Sequence, residues 1–291
     1  MNVVITGASS GIGWALVQTF ARHGHAVLAV ARREERLLAL CAEMADKQAA
    51  SVHCLALDIT APGATQTLFN EAVQKFGKVH VLINNAGISP YQQFRDLDHG
   101  LLHQIIAVNI LSLTELCHLF MPHMLAHGEP SHVVNVGSVG GYAPLPNFSV
   151  YSGSKHYVRI FGNLLYHEYR TTNIRVSTLH PGGTQTEFLA LAGEQVKKSA
   201  EKTIMSPEKV AQIAYPAILK GKRVIIPGTI NKIAVLVGKL FPFPLAIRVM
   251  EIVYNRTVDQ ITPTYPTTPS SENGVKRRTA DREVIEENSE S

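Results

Sequence analysis

Apolar residues along this chain gather in short β-branched runs, separated by longer segments whose apolar positions recur at helical spacing. The runs lie at 2–6, 25–31, 51–57, 79–84, 131–137, 174–179 and 223–226. After the first, Gly11–His23 places Ile12, Ala15, Leu16, Thr19 and Phe20 on one helical face, and Gly24 predicts a left-handed stop. Arg33–Lys47, Ala64–Phe76, Leu97–Leu125, Val150–Thr171 and Pro207–Leu219 read as further helices. Seven buried strands alternating with helices predict right-handed βαβ crossovers. They make an α/β, doubly wound domain whose parallel sheet is covered on both faces. Ligands of such sheets bind at the carboxyl ends of the strands, so the chemistry is expected in the strand-to-helix loops.

The first such loop is Thr6-Gly7-Ala8-Ser9-Ser10-Gly11-Ile12-Gly13, between a strand and a helix. Gly7 permits the tight turn, Gly11 lets backbone approach a pyrophosphate, and Gly13 allows helix and strand to touch. The helix N-terminus offers N–H groups and a positive dipole end to phosphates. A turn that merely needs small residues is the bland alternative; the flanking strand and helix favour a nucleotide. About 20 residues further on, a dinucleotide fold usually carries an acid for the ribose 2′-hydroxyl. Ala31 stands there, followed by Arg32 and Arg33. With no acid and two adjacent guanidinium groups, a 2′-phosphate is the expected guest, so NADP(H) is preferred over NAD(H). A solvated run, Arg32-Arg33-Glu34-Glu35-Arg36, is the competing reading.

Tyr151 and Lys155 stand at i and i+4, on one face of a predicted helix. A phenol titrating near ~10 is a poor acid at neutral pH. A nearby ammonium lowers that value, so the tyrosine can protonate a carbonyl oxygen or deprotonate an alcohol. Alone, the pair reads more often as an exposed helix face. Its context is Ser138, which ends the apolar strand Val133–Gly137 at the sheet's carboxyl edge and offers a hydroxyl to the same carbonyl.

Taken with Asn84-Asn85-Ala86-Gly87, Asn109 and Pro181-Gly182, these motifs occur in one order over about residues 2–228. In this the chain resembles the classical short-chain dehydrogenase/reductase family, a Rossmann-type fold. The resemblance implies a tetrad of Asn109, Ser138, Tyr151 and Lys155: acid/base at Tyr151, substrate orientation at Ser138, ribose binding and phenol activation at Lys155, and a relay water at Asn109. It also implies cofactor contacts at Gly7, Ser9, Ser10, Gly11, Ile12, Gly13, Arg32 and Arg33. Further contacts are implied at Asp58 and Ile59 (adenine), at Asn85, Ala86 and Gly87 (adenosine ribose), and at Pro181, Gly182, Thr184 and Thr186 (nicotinamide side). Thr184 departs from the family's usual valine or isoleucine, although the backbone makes that contact. The implied activity is NADPH-dependent reduction of a ketone or aldehyde, a carbonyl reductase reversible as an alcohol dehydrogenase. A non-catalytic NADP(H)-binding sensor or scaffold and an epimerase or dehydratase are the alternatives. Residues 187–206 would form a mobile lid with an apolar wall of Phe188, Leu189 and Leu191. Tyr91, Phe94, Tyr142, Leu145 and Phe148 would extend that wall, and a hydrophobic small-molecule carbonyl or alcohol substrate follows. The family's long helices suggest a homo-oligomer, dimer or tetramer.

Composition narrows the remaining classes. The 291 residues are 45% hydrophobic and 17% charged, which excludes wholesale disorder. A net charge of +4 is too mild for a nucleic-acid partner. Cys41, Cys54 and Cys117 form no C-x-x-C pair, so neither a disulfide scaffold nor a cysteine zinc site is expected, and a reducing, cytoplasmic setting fits. No export signal is read at the start and no uninterrupted apolar run of membrane-spanning length is found. His99/His103 and His123/His127 have metal-like spacing without an acidic helper, so structural histidines and no metal are expected. His180 is read equally as a substrate contact or a packing residue. The motifs occupy a catalytic domain, 1–228. Residues 229–261 form an apolar, basic extension, split into two helical pieces by Pro242 and Pro244. Packing on the pocket or a partner subunit is favoured for 229–254 over peripheral contact with a membrane surface. Residues 262–291, rich first in Pro, Thr and Ser and then in charge, are expected to be a disordered tail.

Overall fold

The computed structural model describes residues 1–46, 51–192, 194–198 and 204–260. The expected tail, 262–291, and the side chain of Leu191 lie outside what is described. Nine strands are assigned among these residues: β1 (Asn2–Thr6), β2 (Ala26–Ala31), β3 (Val52–Ala56), β4 (Val81–Asn84), β5 (Ser131–Val136), β6 (Ile174–Leu179), β7 (Glu194–Val196), β8 (Val224–Ile225) and β9 (Val258–Gln260). Seven of them form one parallel sheet in the order β3-β2-β1-β4-β5-β6-β8. The order reverses between β1 and β4, which opens a crevice at their carboxyl ends.

The helices are α1 (Gly11–Arg22), α2 (Glu34–Asp46), α3 (Ala64–Phe76), α4 (His99–Ile106), α5 (Leu113–His127), α6 (Ser149–Glu168), α7 (Glu187–Ala192), α8 (Pro207–Leu219), α9 (Thr229–Leu240) and α10 (Phe243–Thr257). The strand runs are continuously apolar because both sheet faces are buried. In β1, Val3 and Ile5 join the core beneath α1, α2 and α8, whereas Val4 joins the core beneath α3, α5 and α6. Gly24 closes α1 as its spacing predicts. It lies at φ +80°, its N–H reaches Ala21 O at 3.0 Å, and His25 N reaches Phe20 O at 3.2 Å.

Several expectations change. The predicted helix Leu97–Leu125 is instead α4 and α5 joined by a π-helical turn, Ala107–Ser112. Hydrophobic spacing is blind to one wide turn. The joined helix, His99–His127, is long and apolar enough to cross a bilayer, yet Leu116, Phe120 and Met124 are buried against the sheet. Cys41 on α2 and Cys54 on β3 are disulfide-bonded across a Cα separation of 6.6 Å, so the expectation of unpaired cysteines does not hold for them. Their pairing follows from how α2 packs on β3, which sequence spacing cannot reveal. Cys117 is a free, buried thiol whose pKa burial pushes up to about 12.

The expected mobile lid is tethered. β7 pairs antiparallel with β9 at the end of the extension, in the register Glu194↔Gln260, Gln195↔Asp259 and Val196↔Val258. Pro242 and Pro244 divide the extension as predicted: α9 ends at Leu240 and Pro242 is the N-cap of α10. His123 and His127 clasp one residue, the first accepting from Val79 N at 3.3 Å and the second meeting Val79 O at 3.0 Å.

Candidate active site

The β1 and β4 loops are stitched together at the crevice. Thr6 Oγ1 accepts from the N–H groups of Asn85 and Ala86, both at 3.1 Å. Asn85 Nδ2 donates to the carbonyls of Thr6 (3.0 Å) and Gly7 (3.1 Å). This close approach explains two of the glycines. A Cβ on Gly13 would sit 2.1 Å from Gly7 O, and one on Gly7 would sit 2.8 Å from Ala86 Cα. Ser10 is the N-cap of α1 but makes no side-chain capping bond, so the first-turn N–H groups remain for an anion. Ile12 packs against the core. The bare glycine backbone and uncapped helix end fit a dinucleotide pyrophosphate.

Both predicted arginines are exposed, and Arg33 reaches the glycine loop. Arg33 Nε donates to Ser9 Oγ at 3.2 Å, while its Nη1 pairs with Glu187 Oε2 at 2.7 Å. Arg36 joins from the next turn, 3.2 Å from Glu187 Oε1. Glu187 opens α7, so that helix is latched to Arg33, one of the two arginines expected to hold a phosphate, and to Arg36. Neither Glu187 nor Arg36 was singled out in the sequence, because this ion pair joins positions more than 150 residues apart. Along the adenine side, exposed Asp58 accepts from Thr60 N and Thr60 Oγ1 at 3.0 and 2.7 Å. The carbonyl of buried Ile59 accepts from Ser112 Oγ at 3.0 Å.

Two glycine positions show how the tetrad converges. The space a Cβ on Gly87 would fill lies 3.4 Å from Asn109 Oδ1 and 3.5 Å from Lys155 Nζ. The same space on Gly140 lies 3.4 Å from Ser138 Oγ and 3.7 Å from Tyr151 Cε1. Ser138 caps the turn Val139–Gly141, its Oγ accepting from Gly140 N at 3.0 Å, which leaves its proton for another acceptor. Lys155 is buried and donates to Val136 O at 2.9 Å, 5.7 Å from the Tyr151 ring centre. Burial lowers its pKa to about 8. Asn109 sits in the π-helical turn, a departure from α-helix that is frequent at functional sites. Its Oδ1 accepts from Ile88 N and its Nδ2 donates to Ile88 O and Ser154 Oγ, all at 3.0 Å.

His180 is a positioning residue that the sequence left undecided. It is fully buried, and burial lowers its pKa to about 4, so the ring is neutral. Nδ1 lies 3.1 Å from Ser138 O; because a carbonyl only accepts, the ring proton is on Nδ1 and ties Ser138 to the end of β6. Pro181 O accepts from Val139 N at 2.9 Å, bracing the same turn. Gly182 lies against Asn231 of α9, and buried Thr184 donates from Oγ1 to Gly182 O at 3.0 Å. Thr186 packs on Gly11, where a Cβ would come within 2.8 Å of Thr186 Cγ2.

Aromatic rings stand beside Tyr151. Phe148 and Phe188 stand 5.8 and 5.9 Å from it, centre to centre. Tyr91 meets Phe148 edge-on at 5.0 Å, and Tyr254 of α10 stacks on Tyr91 at 5.4 Å. Leu145 packs with this group. Two expected wall residues are elsewhere: Phe94 is exposed, and Tyr142 faces His180, Arg159 and Lys239. Tyr254 was missed because only the packing of α10 brings it here.

The sequence profile of the short chain dehydrogenase family matches residues 1–197. Sulfoacetaldehyde reductase 2 of Chromohalobacter salexigens is 35% identical over 219 residues, 73% of this chain and 86% of that protein. A short-chain dehydrogenase from Sphingobium yanoikuyae, solved in complex with NADPH, superposes with a TM-score of 0.72 at 31% identity, covering 78% of this chain and 88% of that one. An enzyme of the same fold from Burkholderia phymatum, solved with NAD, covers 92% of this chain and 97% of its own at a TM-score of 0.74 and 24% identity.

Proposed function

Because the chain belongs to the short-chain dehydrogenase family, oxidoreductases that act on alcohol and carbonyl groups with NAD(P), we propose that it is an NADPH-dependent reductase of hydrophobic ketones or aldehydes. The observation that carries this reading is the convergence of Ser138, Tyr151 and Lys155 beside an aromatic wall, with Arg33 on the glycine loop. Bound NADPH would supply the hydride to the carbonyl carbon. Tyr151 delivers the proton to the carbonyl oxygen, and the Ser138 hydroxyl donates to that same oxygen and fixes its place. The Lys155 ammonium favours the phenolate and so makes Tyr151 a stronger acid. Asn109 holds Ile88 and Ser154 in place around it. Arg33, with Arg36, receives the 2′-phosphate once Glu187 yields it.

The apolar wall of Phe148, Tyr91 and Tyr254 excludes water and favours a bulky, hydrophobic carbonyl compound. The relative from Chromohalobacter is named as an aldehyde reductase, in keeping with a carbonyl acceptor. NADPH absorbance followed against a panel of ketones, aldehydes and β-ketoacyl thioesters tests the assignment. Turnover is expected with hydrophobic members of the panel and is expected to fall by at least about a thousandfold in Tyr151→Phe, with NADPH affinity unchanged. Retained turnover in that variant overturns the mechanism, and absence of turnover across the panel with tight NADPH binding supports a sensor instead.

A further inference from the structure

The two-helix extension has two different faces. The inner one packs on the domain: Val235, Ala246 and Tyr254 are buried, and Gly238 lies so close to the turn before α6 that a Cβ would come within 2.3 Å of Tyr142 O. The outer one is apolar and, among the described residues, exposed. Among the described residues, nine of the exposed large apolar side chains fall between Ile230 and Val253, against eight scattered over the rest of the chain. That concentration makes a patch rather than the single exposed residues every protein surface carries. Ile233, Leu236 and Leu240 run down one side of α9, with Leu240 70% exposed. Phe241, Phe243 and Leu245 continue the patch around the hairpin tip, at 45, 59 and 43% exposure.

Cations border it. Over 229–256 the chain carries Lys232, Lys239, Arg248 and Arg256 against a single acid, Glu251. All four are exposed; Lys239 lies 5.2 Å from the Tyr142 ring, which leaves Lys232, Arg248 and Arg256 for a partner. On α10, the spacing of Leu245, Arg248, Ile252 and Arg256 by three or four places them on one outward face. An apolar stripe bordered by long cationic side chains suits a lipid interface, where acyl chains take the apolar groups and guanidinium and ammonium ends reach phosphates. Phe241 and Phe243 at the tip suit the apolar face of an interfacial helix. A second copy of the chain fits less well. A two-fold contact sets the same patch against itself, and the exposed cations would then meet like charge with only Glu251 to offset them.

We propose that the α9–α10 hairpin docks the protein on an anionic membrane surface, its tip seated in the interface and Lys232, Arg248 and Arg256 on lipid phosphates. Because Tyr254, on the inner side of the same hairpin, belongs to the wall beside Tyr151, docking brings the substrate side of the site next to the lipid. The docking itself rests on the exposed face alone and needs neither cofactor nor turnover.

Flotation of the full-length protein with vesicles tests it, using phosphatidylcholine alone and phosphatidylcholine with phosphatidylglycerol. The wild type is expected to float with the anionic vesicles, more weakly with the neutral ones, and to lose binding as salt rises. Leu240→Ser/Phe241→Ser/Phe243→Ser should lower partition by about tenfold or more, with NADPH binding unchanged. Arg248→Glu/Arg256→Glu should abolish the preference for anionic lipid. Should the triple serine variant fail to fold, Phe243→Trp keeps the test: its added emission is expected to shift to the blue on anionic vesicles. Wild-type protein that stays off both vesicles overturns the proposal. So does a triple variant that floats like the wild type, an unshifted Phe243→Trp emission, or a solution dimer that the triple variant makes monomeric.

Discussion

Lys155 stands at the centre of the site and is a cost to the fold. It is 4% exposed, donates to a neutral carbonyl, Val136 O, and is held down to about 8 by burial. A fall from 10.5 to about 8 corresponds to about 3 kcal/mol of penalty for carrying the ammonium inside. Below about pH 8 both folded and unfolded chains hold the proton, so the full penalty is present. Between about 8 and 10.5 the unfolded chain still binds a proton that the folded one releases, so stability rises with pH. Above that range the penalty is gone. Lys155→Met keeps the length of the side chain and removes the charge. It should therefore stabilise the cofactor-free protein by about 2–3 kcal/mol at pH 7, and by much less at pH 10, while reduction is lost. Urea unfolding of both proteins at the two pH values, followed by far-UV circular dichroism, measures the difference. A variant no more stable than wild type at pH 7, or a gap unchanged at pH 10, would refute the reasoning.

Other consequences are equally direct. Arg33→Ala should weaken NADPH by about tenfold to a hundredfold and NADH by far less, as a lost charge-assisted contact predicts. Glu187→Gln frees the same guanidinium pair and should tighten NADPH severalfold without changing NADH. Fluorescence titration reads both, and parallel losses for the two cofactors in Arg33→Ala would remove the 2′-phosphate assignment. Tyr254→Ala takes one ring from the wall, so steady-state kinetics should give a raised KM for bulky ketones and an unchanged one for short aldehydes. The Cys41–Cys54 link closes a short loop worth about 3 kcal/mol by chain entropy. Wild-type protein should melt lower with dithiothreitol present, and Cys54→Ser should melt at one temperature with or without it.

Features set by neighbouring residues could be read directly. The apolar runs place the seven strands of the parallel sheet to within about two residues, and Gly7, Gly11 and Gly13 mark the loop between β1 and α1. Tyr151 and Lys155 share a face because a helix puts i and i+4 together. Their meeting with Ser138 and Asn109 was legible only as a family pattern, since it joins one side chain before α6 and another from within the helix His99–His127.

What folding alone decided are the pairings between distant positions and the local departures from regular geometry. Asn109 reaches Ile88 from a turn that has widened, a change too small to alter a hydrophobic period. Glu187 finds Arg33 and Arg36, β7 finds β9, and Tyr254 finds Tyr91 across long stretches of chain, and Cys41 finds Cys54 because α2 packs on β3. Composition and spacing report which residues want burial or a turn, because those preferences are local. They carry no distance between elements, and it is those distances that decide which arginine meets the glycine loop, what latches the lid, and which side of the extension is left uncovered.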